Sequence, residues 1–295
     1  MRIIRIVLAA LATLALLGAS ATAASAVPAQ TGFRHYVALG DSYTAGPLIP
    51  LPRLDPLGCA KSTANYPALL AASLHLAGYT DISCSGADTS DMTQAQTVPL
   101  GVNPAQFSAL RPDTDLVTVG IGGNDSGVFG TLVGTCPGLR ASDPTGSPCR
   151  QQYTVDGVDT VKALLPGTGE NVRQVLAGIH ARSPEAEVLA IGYPRIAPES
   201  GYCPDVLPFA DGDYAWLSGV EEALNAAIED AVTADGEASY VDTYTPSAGH
   251  DACARGGAAW INGKDTKLLS AASYHPLPAG MTGIAGVIRA QLDND

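Results

Sequence analysis

Tyr36-Val37-Ala38-Leu39-Gly40-Asp41-Ser42-Tyr43-Thr44-Ala45-Gly46 runs from an apolar strand straight into a glycine, a carboxylate and a serine. A strand that is apolar at successive positions suits a sheet covered on both faces, where neither side meets water. Four more segments read the same way: Thr80–Ser83, Leu116–Ile121, Glu187–Gly192 and Ser239–Val241. Helical patterns alternate with them at Tyr66–Leu76, Gly169–Ala181, Tyr214–Val232 and Ala279–Leu292, with Gly78 and Gly236 standing where two of these helices should stop. The alternation predicts an α/β fold, a three-layer α/β/α domain on a five-stranded parallel sheet. Two stretches break the rhythm, Val128 to Gly167 and Tyr193 to Asp213. Both are rich in turn formers, and both are expected to be long surface loops.

The chain before this domain reads as a secretion signal. Arg2 and Arg5 precede an apolar run, Ile6 to Leu17, and small residues end at Ala24-Ser25-Ala26. The run is shorter than the roughly 20 residues a bilayer span needs. Residues 1–26 are therefore expected to be removed, leaving one domain over 27–295, secreted, with no permanent membrane anchor and monomeric. The full chain carries a net charge of −13, and loss of the two arginines makes the mature form more acidic still. Such a surface repels nucleic acid and serves solubility. Six cysteines, at 59, 84, 136, 149, 203 and 253, suit disulfides in an oxidising space. Several pairings are open to six cysteines, but these fall into three sequence-local couples: Cys59 with Cys84, Cys136 with Cys149, and Cys203 with Cys253. No Cys-x-x-Cys or Cys/His cluster suggests zinc, so neither metal nor organic cofactor is expected.

The chemistry-bearing residues form four blocks. Ser42 follows the first strand, where a serine is placed to face a cleft; position 44 is Thr, so the segment is not the Gly-x-Ser-x-Gly elbow of the α/β-hydrolases. Cys84-Ser85-Gly86-Ala87 follows the second strand and offers a glycine whose backbone N–H can approach a substrate oxygen. Val119-Gly120-Ile121-Gly122-Gly123-Asn124-Asp125 ends the third, and His275-Pro276 precedes the terminal helix. Among five histidines, His35, His75 and His180 read as structural, and His250 lies in a Gly-His-Asp turn as a second candidate for a base.

Taken in order, these four blocks resemble the GDSL, or SGNH, hydrolase family, a flavodoxin-like fold. The six cysteines and long loops are similar to its secreted actinomycete lipases and esterases. That resemblance implies Ser42 as nucleophile, His275 as base, and an oxyanion hole of the Ser42 and Gly86 backbone N–H groups with the Asn124 amide. It also implies three disulfides in sequence-local pairs. Asp125 should support its loop rather than react. One position departs from the family pattern: most members have Asp three residues before the histidine, and here Ala272 stands there. Some relatives orient the base with a backbone carbonyl, which points to a Ser42–His275 dyad oriented by the carbonyl of Ala272. Asp265, the nearest upstream carboxylate, is the rival.

The implied activity is carboxylic ester hydrolysis through an acyl-serine, on lipid-like esters such as triacylglycerols. Phospholipase A and carbohydrate-ester deacetylase are the neighbouring alternatives, and a non-catalytic glycan- or lipid-binding module is the alternative of another class. Leu48, Ile49, Leu51 and Leu54, close to the serine, are candidates to accept an acyl chain.

Overall fold

The computed structural model describes residues 32–76 and 78–294; the expected secretion signal lies outside them. Five parallel strands form the central sheet, numbered here β1 (Tyr36–Gly40), β2 (Tyr79–Asp81), β3 (Leu116–Gly120), β4 (Glu187–Ile191) and β5 (Ser239–Val241). Their order is β2-β1-β3-β4-β5. In register, Tyr36 to Gly40 pair with Leu116 to Gly120, and Leu116 to Val119 pair with Glu187 to Ala190. Chain order reverses between β1 and β3, and loops leaving the carboxyl ends of those two strands diverge to open a crevice. Ser42 and Asn124 both follow those ends.

Among the described residues seven helices accompany the sheet: α1 (Ser42–Ala45), α2 (Tyr66–Ser73), α3 (Val128–Leu139), α4 (Pro148–Gln152), α5 (Leu165–His180), α6 (Tyr214–Asp235) and α7 (Pro278–Leu292). Side chains alternate across each strand and so serve two cores. Tyr36, Ala38, Leu116 and Leu189 pack with Leu70 of α2 and with Met281, Ile284 and Ile288 of α7. Val37, Leu39, Val117, Val119 and Val188 pack with Val172, Leu176 and Ile179 of α5 and Leu224 and Ile228 of α6. This is the three-layer α/β/α arrangement read from the sequence. Local signals set the helix ends: Asn65 caps α2 by accepting from the Ala68 N–H at 3.1 Å, and Gly236, at φ 77°, closes α6. The stop expected at Gly78 falls earlier, at His75, which takes φ 56°.

The stretch from Val128 to Gly167 is not a loop. It holds α3, α4, a small hairpin (Thr154–Val155 with Val158–Asp159) and the start of α5. Gly130, Gly134, Pro137 and Gly138 lower the helix propensity of α3 and hide it from a reading of the sequence. Val128, Leu132 and Cys136, on one face of α3, are buried. Tyr193 to Asp213 is irregular as expected, apart from a short 3-10 turn at its end. Disulfides join Cys59 to Cys84, Cys136 to Cys149 and Cys203 to Cys253, the three local couples. Among the described residues no helix is long and apolar enough to cross a membrane, and no group of His, Cys, Asp and Glu could hold a metal ion.

Candidate active site

Ser42 is the first residue of the one-turn helix α1. Asp41 caps that helix, its Oδ1 accepting from the Tyr43 N–H at 2.8 Å, so the cap role falls to the carboxylate and not to the serine. The strand leading to the pair is anchored by the buried Gln106: Gly40 N–H donates to its Oε1 at 2.8 Å, and its Nε2 donates to the Gly40 carbonyl at 2.9 Å. Backbone bonds then continue the register past the strand, Asp41 N–H donating to the Gly120 carbonyl at 3.0 Å. Ser42 itself is 6% exposed.

Asn124 follows β3 through Gly122 and Gly123. Its Nδ2 donates to the Ala87 carbonyl at 2.9 Å, which fixes the amide against the loop carrying Gly86. Gly86 takes φ 80°, in the left-handed region that glycine enters without strain. Asp125 ties the same loops together, accepting from the Thr89 N–H at 3.0 Å, the Thr89 hydroxyl at 2.7 Å and Asn171 Nδ2 of α5 at 2.9 Å. It is the loop support expected of it. The Cys59–Cys84 bridge adds a covalent tie, and the Ser85 N–H donates to the Cys59 carbonyl at 3.0 Å.

Tyr193, after β4, joins the serine and asparagine blocks, a role sequence reading missed. Its hydroxyl donates to Asp41 Oδ2 at 2.5 Å and accepts from the Gly123 N–H at 2.9 Å. The close approach favours glycine at 123, since a Cβ there would stand 3.1 Å from the Tyr193 hydroxyl and the ring would have to give way by a few tenths of an ångström. Its backbone is clamped in turn by Asn225, whose Oδ1 accepts from Tyr193 N–H at 2.8 Å and whose Nδ2 donates to the Tyr193 carbonyl at 3.0 Å. Burial pushes the Asp41 carboxyl up to about 7, against the lowering effect of its bonds from Tyr193 and Tyr43.

His275 lies against this assembly, its ring 5.4 Å from that of Tyr43 and 5.5 Å from that of Phe129. Its Nδ1 is 2.7 Å from the carbonyl oxygen of Ser273. A carbonyl can only accept, so Nδ1 carries the proton and Nε2 the lone pair of a base. The orienting carbonyl is thus that of Ser273 and not that of Ala272. Tyr274, at φ 59°, turns the chain so that the Ser273 oxygen meets the ring, while the Ala272 oxygen accepts from Asn262 Nδ2 at 3.0 Å. Burial holds the imidazole below its usual value, partly offset by the Ser273 bond. Asp265 is not the partner: its side chain is 76% exposed and pairs with Lys264 at 2.6 Å. Of the other histidines, His75 is exposed and three have structural bonds. His35 Nδ1 is 2.8 Å from the Asp113 carbonyl, His180 Nε2 is 3.0 Å from Asp235, and His250 stacks on Trp260 with Nδ1 2.6 Å from the Ala258 carbonyl.

Ser42 and Asn124 line a pocket that runs between α3 and α6. Val128, Phe129, Leu132 and Val133 line one wall and Leu217, Val220 and Leu224 the other, with Ile196 and Phe209 between. The residues offered by the sequence for an acyl chain lie elsewhere. Ile49 is buried in the core under α2 and α7, and Leu48, Leu51 and Leu54 are exposed. None of the four lines the pocket, because the chain turns away from it after α1.

The profile of the GDSL-like Lipase/Acylhydrolase family matches residues 38–282. Lipase 2 of Streptomyces coelicolor is 42% identical over 244 residues, 81% of this chain and 79% of its own. Phospholipase A1 from Streptomyces albidoflavus NA297 has the same fold, with a TM-score of 0.71 at 29% identity over 88% of this chain and 99% of its own. The extracellular lipase of Streptomyces rimosus gives 0.71 at 29% identity, over 87% and 99%. The chain belongs to the GDSL-like lipase/acylhydrolase family and is an ester hydrolase of the lipase and esterase kind.

Proposed function

We propose that the chain is a secreted lipase that hydrolyses lipid-like acyl esters, triacylglycerols foremost, through an acyl-enzyme on Ser42. The observation that carries this reading is the pocket: a serine and an asparagine amide line a space whose walls, apart from the carboxyls of Asp41 and Glu221, are mainly apolar. An acyl chain seated between α3 and α6 brings its ester carbonyl to Ser42. The Ser42 hydroxyl attacks the carbonyl carbon as His275 Nε2 takes its proton. The oxyanion is received by the backbone N–H groups of Ser42 and Gly86 and by the Asn124 amide, whose second hydrogen is not used by the bond to Ala87. His275 then returns the proton to the leaving alcohol. A water, deprotonated by the same imidazole, releases the fatty acid.

The Ser273 carbonyl holds the ring in the tautomer this sequence needs, but a neutral oxygen stabilises imidazolium less than a carboxylate would. More of the barrier reduction then falls to the oxyanion donors. Tyr193, Asp125 and the Cys59–Cys84 bridge keep those donors in place. Export is supported by the charged, apolar and small-residue run of residues 1–26 and by three disulfides, which persist in oxidising compartments. Phospholipase A activity is the second reading, favoured by the fold shared with the Streptomyces albidoflavus phospholipase A1. A panel of esters from p-nitrophenyl acetate to long-chain triglyceride and phosphatidylcholine separates the two. Leu132→Trp, which fills the pocket, should remove the long-chain activities and spare acetate. Equal loss on every ester would count against the pocket as the acyl site.

A further inference from the structure

Four residues of α6 face the pocket, at positions 217, 220, 221 and 224, the spacing of one helical stripe. Three are Leu217, Val220 and Leu224; the fourth is Glu221, a carboxylate set in the middle of an apolar wall. Across the pocket α3 offers only Val128, Phe129, Leu132 and Val133. Glu221 accepts long hydrogen bonds from the Ile196 N–H at 3.3 Å and the Ala197 N–H at 3.4 Å. Among the described residues no cation lies within ion-pair distance of it. Arg195, the nearest candidate, is turned to Tyr244: its guanidinium lies 3.9 Å above that ring and one terminal nitrogen donates to its hydroxyl at 3.2 Å, while its buried Nε has no hydrogen-bond partner.

Resting on the reading of this pocket as the acyl site, we propose that Glu221 sets the acyl-chain preference of the enzyme by coupling entry of a long apolar chain to uptake of one proton on its own carboxylate. A chain that fills the space drives out the water that solvates a charged Glu221, and hydrocarbon supplies nothing in return. The neutral acid suffers no such loss. Chain binding therefore selects the protonated form, and the proton comes from solvent. The empty pocket already leans this way, since burial raises this carboxyl to about 8. Arg195 acts in the opposite direction; Asp251, from the loop after β5, adds to the rise. The other groups coupled to the site by charge are Tyr43 on α1 and Tyr244, whose phenols burial raises, and Tyr244 also contacts Glu222. Neither phenol ionises in the range that matters. Asp41 is the second carboxyl of the pocket, but it adjoins Ser42 and so acts on short and long esters alike.

The test is the ratio of kcat/KM for p-nitrophenyl decanoate over p-nitrophenyl acetate from pH 6 to 10. In the wild type the ratio should be level below pH 7 and fall about tenfold per pH unit beyond about 8, as uptake of a single proton requires. Glu221→Gln, which keeps the shape and cannot ionise, should hold the ratio level throughout. A level ratio in the wild type, or the same fall in Glu221→Gln, would overturn the proposal. Acetate turnover reads Ser42 and His275 independently, so failure of the catalytic reading shows separately as acetate activity surviving in Ser42→Ala. Should Glu221→Gln not fold, the wild type and Asp41→Asn can be titrated with octan-1-ol in unbuffered solution at pH 9. Uptake of close to one proton per site in both supports Glu221, the pocket carboxyl that remains; no uptake, or uptake lost with Asp41, refutes it.

Discussion

Tyr193→Phe removes one oxygen atom and with it a hydrogen-bonded link from the loop after β4 to both the Asp41-Ser42 and the Gly123-Asn124 segments. Two buried bonds are lost: one to a carboxylate at 2.5 Å and one from a backbone N–H at 2.9 Å. A bond to a charged group contributes about 1.5–3 kcal/mol and a neutral one about 1 kcal/mol, so together they are worth roughly 3 kcal/mol above pH 7, where Asp41 is ionised. Below that pH the carboxyl is neutral and the loss should shrink. Because the phenol positions groups on both sides of the reacting carbonyl, kcat should also fall, by roughly ten- to a hundredfold, the scale of a small misplacement of catalytic groups. KM for p-nitrophenyl acetate should change little, since the aromatic ring that lines the pocket at position 193 is kept. Urea unfolding at pH 8 and pH 5, with kcat and KM measured on the same preparation, gives every quantity. The loss of a bond that lowers the Asp41 pKa should move that pKa further above about 7. A stability loss with kcat unchanged would reduce Tyr193 to a structural tie and refute the positioning role.

Three further outcomes follow from the geometry. In Asp41→Asn, which removes the other carboxyl that titrates beside Ser42, the acid limb of kcat/KM on acetate should have its midpoint below 6.5, because burial lowers the His275 pKa and the base works only when neutral; activity is lost as pH falls through that value, and a midpoint above 6.5 in this variant would contradict the buried imidazole. Asp265→Asn should leave kcat within about twofold, given its exposed pairing with Lys264, whereas a thousandfold loss in a folded variant would restore a carboxylate to the base. Cys59→Ala/Cys84→Ala should lower unfolding free energy by about 2–5 kcal/mol and loosen the Gly86 loop, read as a kcat loss larger than that of an equally destabilised variant lacking the Cys203–Cys253 bridge.

The sheet was legible because its inner strands are apolar on both faces, as YVALG, LVTVG and EVLAI are, and a buried parallel strand has no polar side to confuse the pattern. The serine, asparagine and histidine blocks could be proposed from the sequence because each motif is local, the first two following β1 and β3 and the third preceding α7. What escaped depended on contacts between distant segments. Tyr193 meets Asp41 across 152 positions, and Gln106 meets Gly40 across 66, and neither bears a local mark. The choice between the carbonyls of Ala272 and Ser273 rests on one dihedral angle at Tyr274, which a tyrosine in the left-handed region does not announce. The pocket between α3 and α6 was hidden by the glycines and proline that disguise α3, and no local mark shows that the chain carries Leu48, Leu51 and Leu54 away from it.

The central claim is that Ser42 is an activated nucleophile and His275 its base. A fluorophosphonate probe tests both at once, by the rate at which it forms a covalent adduct and by the site of that adduct in the digested protein. The account predicts a single adduct on Ser42, none in Ser42→Ala, and labelling slowed by several orders of magnitude in His275→Ala, which leaves the hydroxyl without its base. An adduct on any other residue, or undiminished labelling in folded His275→Ala, would contradict it.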